Sequence, residues 1–142
     1  MARILVFDSG VGGLSILSAL KKNSDIAQNT HQWLFCSDNA FFPYGLKKED
    51  ELIERVITVL RAIHKQYQPD IIVLACNTAS TVALDAARKQ LAIPIVGVVP
   101  AIKPAAQLTQ SNCIGLLATP GTISRTYTQQ LIDDFASHCH VV

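Results

Sequence analysis

Residues 71–81 read "IIVLACNTAST". Five residues suited to a buried strand run straight into Cys76, Asn77 and Thr78, and a helical pattern follows over 81–91 ("TVALDAARKQL"). A short apolar run handing over to a helix is the mark of a parallel strand in an α/β protein. A thiol at such a hand-over has two readings. Cys76 could be a small apolar filler, since free cysteine is among the most buried residue types. It could also be reactive, because the dipole and N–H groups of a helix start favour the thiolate.

The same alternation extends in both directions. Toward the N-terminus stand a strand at 3–7 ("RILVF"), a helix over about 13–22 and a second strand at 31–36 ("HQWLFC"). A long amphipathic helix follows within 47–67, where Ile53, Val56, Ile57, Leu60, Ile63 and His64 or Tyr67 recur at helical spacing. Its first turn carries Glu49, Asp50 and Glu51, where the dipole favours acids. The third strand is 70–75. Past the helix at 81–91, closed by Pro94, come a strand at 94–99, a helical stretch near 101–109, a strand at 113–118, a helix over 122–136 and a last strand at 138–142. Strands alternating with helices predict an α/β fold with a doubly wound parallel sheet covered on both faces. The segment 98–104 ("VVPAIKP") is the one candidate boundary. A chain that closes on an apolar strand, with no helix after it, reads as truncated.

Composition narrows the function classes. With 142 residues, 49% hydrophobic and 16% charged, the chain can bury a real core. A net charge of +1 and the absence of a Lys/Arg block give no sign of a nucleic-acid or membrane-surface partner. Apolar runs are strand-length, and Asp8 interrupts the N-terminal one before a signal-peptide core could form, so a cytoplasmic location is expected. Cys36, Cys76, Cys113 and Cys139 are widely spaced and signal neither a disulfide framework nor a zinc site. In "HCH" (138–140) a strand would put the two histidines on one face and the thiol on the other, which does not suit a metal.

Ligands of open parallel sheets sit at the carboxyl ends of the strands. Strand one ends in "FDSGVGG", strand two in "CSDNAFFPYG", strand three in Cys76, Asn77 and Thr78, and strand five in "ATPGT" with Thr119 and Thr122. These polar groups are distant in sequence and converge on one edge. "DSGVGG" is not a dinucleotide loop, because Ser15 stands where the third glycine of G-x-G-x-x-G belongs. Asp8 could simply cap the helix. A phosphatase would need Arg where Val82 stands, and a receiver domain would need Asp where Cys76 stands. What remains is a thiol in acid–base work beside the carboxylate of Asp8. Tyr44 and Gly45, after Pro43, form either an ordinary turn or a hydroxyl and exposed N–H groups that hold a carboxylate.

Taken together, "FDSGVGGLSIL" (7–17), "SDNAFFPYG" (37–45), "ACNTAS" (75–80), "IPIVGVVPA" (93–101) and "TPGTI" (119–123) resemble the aspartate/glutamate racemase family, and within it the glutamate racemases. The resemblance implies a flavodoxin-like racemase lobe over 1–99, with 100–142 as the incomplete beginning of a second lobe. It implies cofactor-independent interconversion of L- and D-glutamate by two thiols on opposite faces of the α-carbon, supplying D-glutamate for peptidoglycan. By position, Cys76 matches the first catalytic cysteine and Asp8 a residue that assists it. Asp8 with Ser9, Tyr44 with Gly45, and Asn77 with Thr78 match substrate-binding pairs, and Thr119 and Thr122 match carboxylate contacts.

The family's second cysteine stands in a Cys-Thr-His stretch that this sequence lacks. Cys113 is no substitute: six residues before Thr119, it lies roughly 20 Å from the active edge at about 3.3 Å per residue. Two expectations follow. One is a truncated racemase, inactive or impaired. The other is an α/β fragment that binds a small acid without turnover, or pairs with another chain as a homo-oligomer. Among the four thiols, Cys76 is expected to stand open in a cleft.

Overall fold

The computed structural model describes residues 1–23, 30–123 and 126–142. They form two compact units, Met1–Val98 and Val99–Val142. The first unit holds β1 (Arg3–Asp8), α1 (Gly13–Lys22), β2 (Gln32–Ser37), α2 (Glu49–Tyr67), β3 (Ile71–Leu74), α3 (Asn77–Gln90) and β4 (Ile95–Gly97). Short 3-10 turns at Asn39–Phe41 and Tyr44–Leu46 link β2 to α2.

All four strands are parallel, in the order β2-β1-β3-β4. The chain leaves β1 to one side for β2 and returns across it to β3, so the sheet is doubly wound. The point where the winding reverses lies between β1 and β3. Leu5 pairs with Leu34 and Ile72, and Phe7 with Cys36 and Leu74, which sets these residues on one face. There they meet Leu52, Val56, Leu60 and Ile63 of α2 and Ala79, Ala83 and Ala87 of α3 in a single core. The alanines recur every fourth residue, a row of small side chains that lets α3 lie close. The opposite face carries α1, whose first residue, Gly13, lies against the Phe35 ring.

The helix after β3 begins at Asn77, four residues before the expected start at 81. Asn77, Thr78 and Ser80 read locally as turn formers. Here they occupy the first helical turn, where the Ser80 hydroxyl donates to the Leu74 carbonyl at 2.9 Å and accepts the Val98 N–H at 3.2 Å. Cys76 therefore stands at the N-cap of α3, with extended backbone.

The second unit comprises α4 (Ile102–Leu108), β5 (Cys113–Ile114), α5 (Pro120–Ile123), α6 (Thr126–Phe135) and β6 (His140–Val141). Strands β5 and β6 pair in parallel around a small core of Ile102, Ala106, Ile114 and Ala136. Both strands are shorter than 113–118 and 138–142. Ladder-type bonds still reach Leu116 through Val142, while Cys139 closes a turn back onto Ala136. The helix expected over 122–136 is found as α5 and α6, and its residues 124 and 125 lie outside the described ones.

Candidate functional site

The end of β1 supplies Asp8 and Ser9, both buried. Asp8 accepts the N–H of Gly13, the first residue of α1, at 3.0 Å. That bond is the helix-capping contact its position allows, and it fixes the carboxylate at the rim of the sheet. Glycine is required at 13: a Cβ there would lie 2.8 Å from the Asp8 Cβ and 3.0 Å from the Ala75 Cβ. The adjacent strand is tied in by the Ala75 N–H, which donates to the Phe7 carbonyl at 2.7 Å.

That tie brings Cys76 beside Ser9. The hydroxyl oxygen and the thiol sulfur are 3.5 Å apart. Cys76 is 7% exposed and belongs to the core between sheet and helices. It does not stand open as the sequence suggests; Cys113, in the second unit, is the exposed thiol among the four. Phe7, Tyr44 and Ala79 are buried in the same core. Asn77 follows on the exposed side and Thr78 on the buried side of the first turn of α3.

Tyr44 packs with its turn against α3 and is 1% exposed. Its hydroxyl donates to Asp38 Oδ2 at 2.8 Å, so it is committed within the protein and is not free for a ligand. The backbone N–H groups of Tyr44 and Gly45 take no acceptor among the described residues. Burial and the Asp38 carboxylate hold the Tyr44 phenol protonated far above its ordinary range. Asp38 in turn receives a two-pronged contact from Arg55, Nε to Oδ2 at 2.8 Å and Nη2 to Oδ1 at 2.7 Å. These guanidinium bonds, with help from Tyr44, keep the Asp38 carboxyl below the usual carboxylate range despite its burial. Burial, reinforced by the Asp38 charge, raises the Cys36 thiol.

Thr119 and Thr122 belong to the second unit. Their hydroxyl oxygens are 3.1 Å apart at the start of α5, Thr119 exposed and Thr122 buried. Among the described residues, no three His, Cys, Asp or Glu side chains cluster as metal ligands, and no helix is long and apolar enough to cross a membrane.

The Ser9 hydroxyl and the Cys76 thiol thus meet where the winding of a parallel sheet reverses, with the buried carboxylate of Asp8 on the preceding residue, and that is the position at which such sheets bind ligands. The model of the Asp/Glu/Hydantoin racemase family matches residues 4–141. The chain belongs to that family. It is 55% identical over 140 residues to the glutamate racemase of Shewanella loihica, covering 99% of this chain and 51% of that protein. It is 50% identical over 138 residues to that of Klebsiella pneumoniae, covering 97% and 47%. The structure of Escherichia coli glutamate racemase, in complex with L-glutamate and the activator UDP-MurNAc-ala, superposes with a TM-score of 0.89 at 47% identity. That match covers 99% of this chain and 51% of the other. The chain spans about half the length of the curated relatives it matches.

Within this racemase-family chain, Asp38 and Arg55 are the charged groups that sequence reasoning passes over. Asp38 lies inside the quoted stretch 37–45, yet nothing local separates it from a solvated loop acid. Arg55 stands 17 residues later, on the polar side of a helix whose spacing reports only its apolar face. The one available signal is that the residue just past a parallel strand end faces the helix that follows it.

Proposed function

We propose that this chain carries the first thiol of a glutamate racemase, with residues 1–99 forming the first lobe and 100–142 beginning a second. The observation that carries the reading is the contact of Ser9 with Cys76 at the switch point, next to the buried Asp8, in a chain half identical to glutamate racemases over nearly its whole length. In this reading the Cys76 thiolate removes the α-proton of glutamate. The electron pair of the broken C–H bond passes to the α-carbon and its carboxylate, and a thiol on the opposite face returns a proton to give the enantiomer. Asp8 takes the substrate ammonium and supports Cys76. The N–H groups of Tyr44 and Gly45, with Ser9, Asn77 and Thr78, receive carboxylate oxygens. No cofactor enters the reaction. Its product, D-glutamate, serves peptidoglycan synthesis and cell shape in the cytoplasm.

A second reading is binding of a small acid by these residues without turnover. One thiol cannot reach both faces of a held α-carbon. The test is L-glutamate incubated in D2O with the purified chain, beside a version extended by the remaining half of a curated relative. Circular dichroism reads inversion and proton NMR reads α-deuteration. Inversion by the extended version, with slow exchange and no inversion by the 142-residue chain, is expected. Exchange by neither would overturn the role of Cys76. Full-rate inversion by the short chain would overturn the need for a second lobe.

A further inference from the structure

Asp38 is 5% exposed, and its carboxylate is the hub of the loop between β2 and α2. It accepts the Tyr44 hydroxyl and both prongs of Arg55. Its backbone N–H donates to the Asp8 carbonyl at 3.0 Å, and its carbonyl accepts the Phe41 N–H at 3.1 Å. The Phe41 ring meets the Tyr44 ring edge-on at 6.2 Å, and the Arg55 guanidinium lies 5.6 Å from the Phe41 centroid. Arg55 itself rises from the second turn of α2, a helix anchored to the sheet by Leu52, Val56, Leu60 and Ile63.

Asp38 is buried while Arg55 stays partly exposed, and such an ion pair is a weak route to stability, because solvent screening and desolvation offset most of its attraction. It is a good route to fixed geometry, and arginine's planar fork suits that use better than lysine's point charge. Here the geometry being fixed is that of the Tyr44–Gly45 turn. The tyrosine hydroxyl has no spare role, and the turn's two N–H groups carry no protein acceptor among the described residues.

We propose that Arg55 is a positioning residue: through Asp38 it locks Tyr44, and thereby aims the N–H groups of Tyr44 and Gly45 at a carboxylate of the substrate. This rests on the racemase reading above. It adds that the affinity of the site for a dicarboxylic amino acid depends on a side chain that does not touch the ligand.

The experiment is NMR of the 15N-labelled 142-residue chain, titrated with L-glutamate, for the unsubstituted protein and for Arg55→Met, Arg55→Lys and Tyr44→Phe. Arg55→Met should accelerate hydrogen exchange at the Leu46 and Lys47 amides, which donate to the Pro43 and Tyr44 carbonyls, while leaving those of β1 and β3 protected. It should weaken glutamate binding about 10–100-fold, the cost of misplacing a binding group by an ångström or so. The glutamate-induced shift of the Gly45 amide should vanish while those of Ser9 and Asn77 persist. Arg55→Lys should recover part of the affinity. Tyr44→Phe, which keeps the ring and the Arg55–Asp38 pair, should change both readouts in the same direction by less. Unchanged Leu46 and Lys47 exchange in Arg55→Met overturns the proposal, and so does a loosened turn with unchanged affinity. No glutamate-dependent shift in the unsubstituted chain would overturn the racemase reading instead, and Leu46 and Lys47 exchange would then still decide whether Arg55 holds the turn.

Discussion

The Ser9 hydroxyl oxygen lies 3.5 Å from the Cys76 sulfur, although 67 residues of chain separate the two. Each stands one or two positions beyond its strand, and the parallel pairing of β1 with β3 alone brings them level. The contact places a small polar group beside a thiol that is otherwise enclosed.

Enclosure sets the order of alkylation. Iodoacetamide should label Cys113 first, because it is exposed, and Cys76 slowly, because it is 7% exposed. Saturating L-glutamate should slow Cys76 further and leave Cys113 unchanged. Peptide mapping reads both rates, and indifference of Cys76 to glutamate would count against its place in the site.

Asp8→Asn separates chemistry from folding. An asparagine oxygen can still accept the Gly13 N–H, so the melting temperature should move little. Turnover by the version extended with a second half should fall about 10²–10⁴-fold, the range for losing acid–base assistance. Near-normal turnover would remove Asp8 from the mechanism.

Gly13→Ala should do the reverse and act on stability. The new methyl would lie within 3.0 Å of two neighbouring Cβ atoms, on backbone elements that cannot swing aside. Overpacking of this kind costs about 1–3 kcal/mol, to be read by urea unfolding. A neutral outcome would mean that α1 can shift away from the sheet edge.

Acid should undo the Asp38 hub. Its folded carboxyl titrates below its unfolded value, chiefly through Arg55. Its contribution is therefore complete above the ordinary carboxylate pKa of about 4 and is lost as pH falls through the depressed value. Asp38→Asn should lower stability near neutral pH by about 1–3 kcal/mol, since Arg55 and Tyr44 lose a charged acceptor. The difference between the two proteins should shrink as unfolding is measured at progressively lower pH. A constant difference down to the acid transition would show that the carboxylate charge contributes nothing.

By itself the sequence determined the order of strands and helices, because apolar periodicity is local and α2 and β1 each carry an unbroken pattern. It also placed Asp8 and Cys76 at strand ends, since residues that follow an apolar run must lie at the rim of a parallel sheet. It misplaced the start of α3, because the polar side chains of Asn77, Thr78 and Ser80 favour turns until tertiary acceptors engage them; Ser80 finds one in Leu74. Only the tertiary structure decided that Tyr44 spends its hydroxyl on Asp38, that Arg55 reaches the same carboxylate, and that Cys76 is covered. Those facts depend on how far α2 sits from the end of β2 and how the loop folds back. Such distances arise from the packing of elements remote in sequence, which no local pattern records.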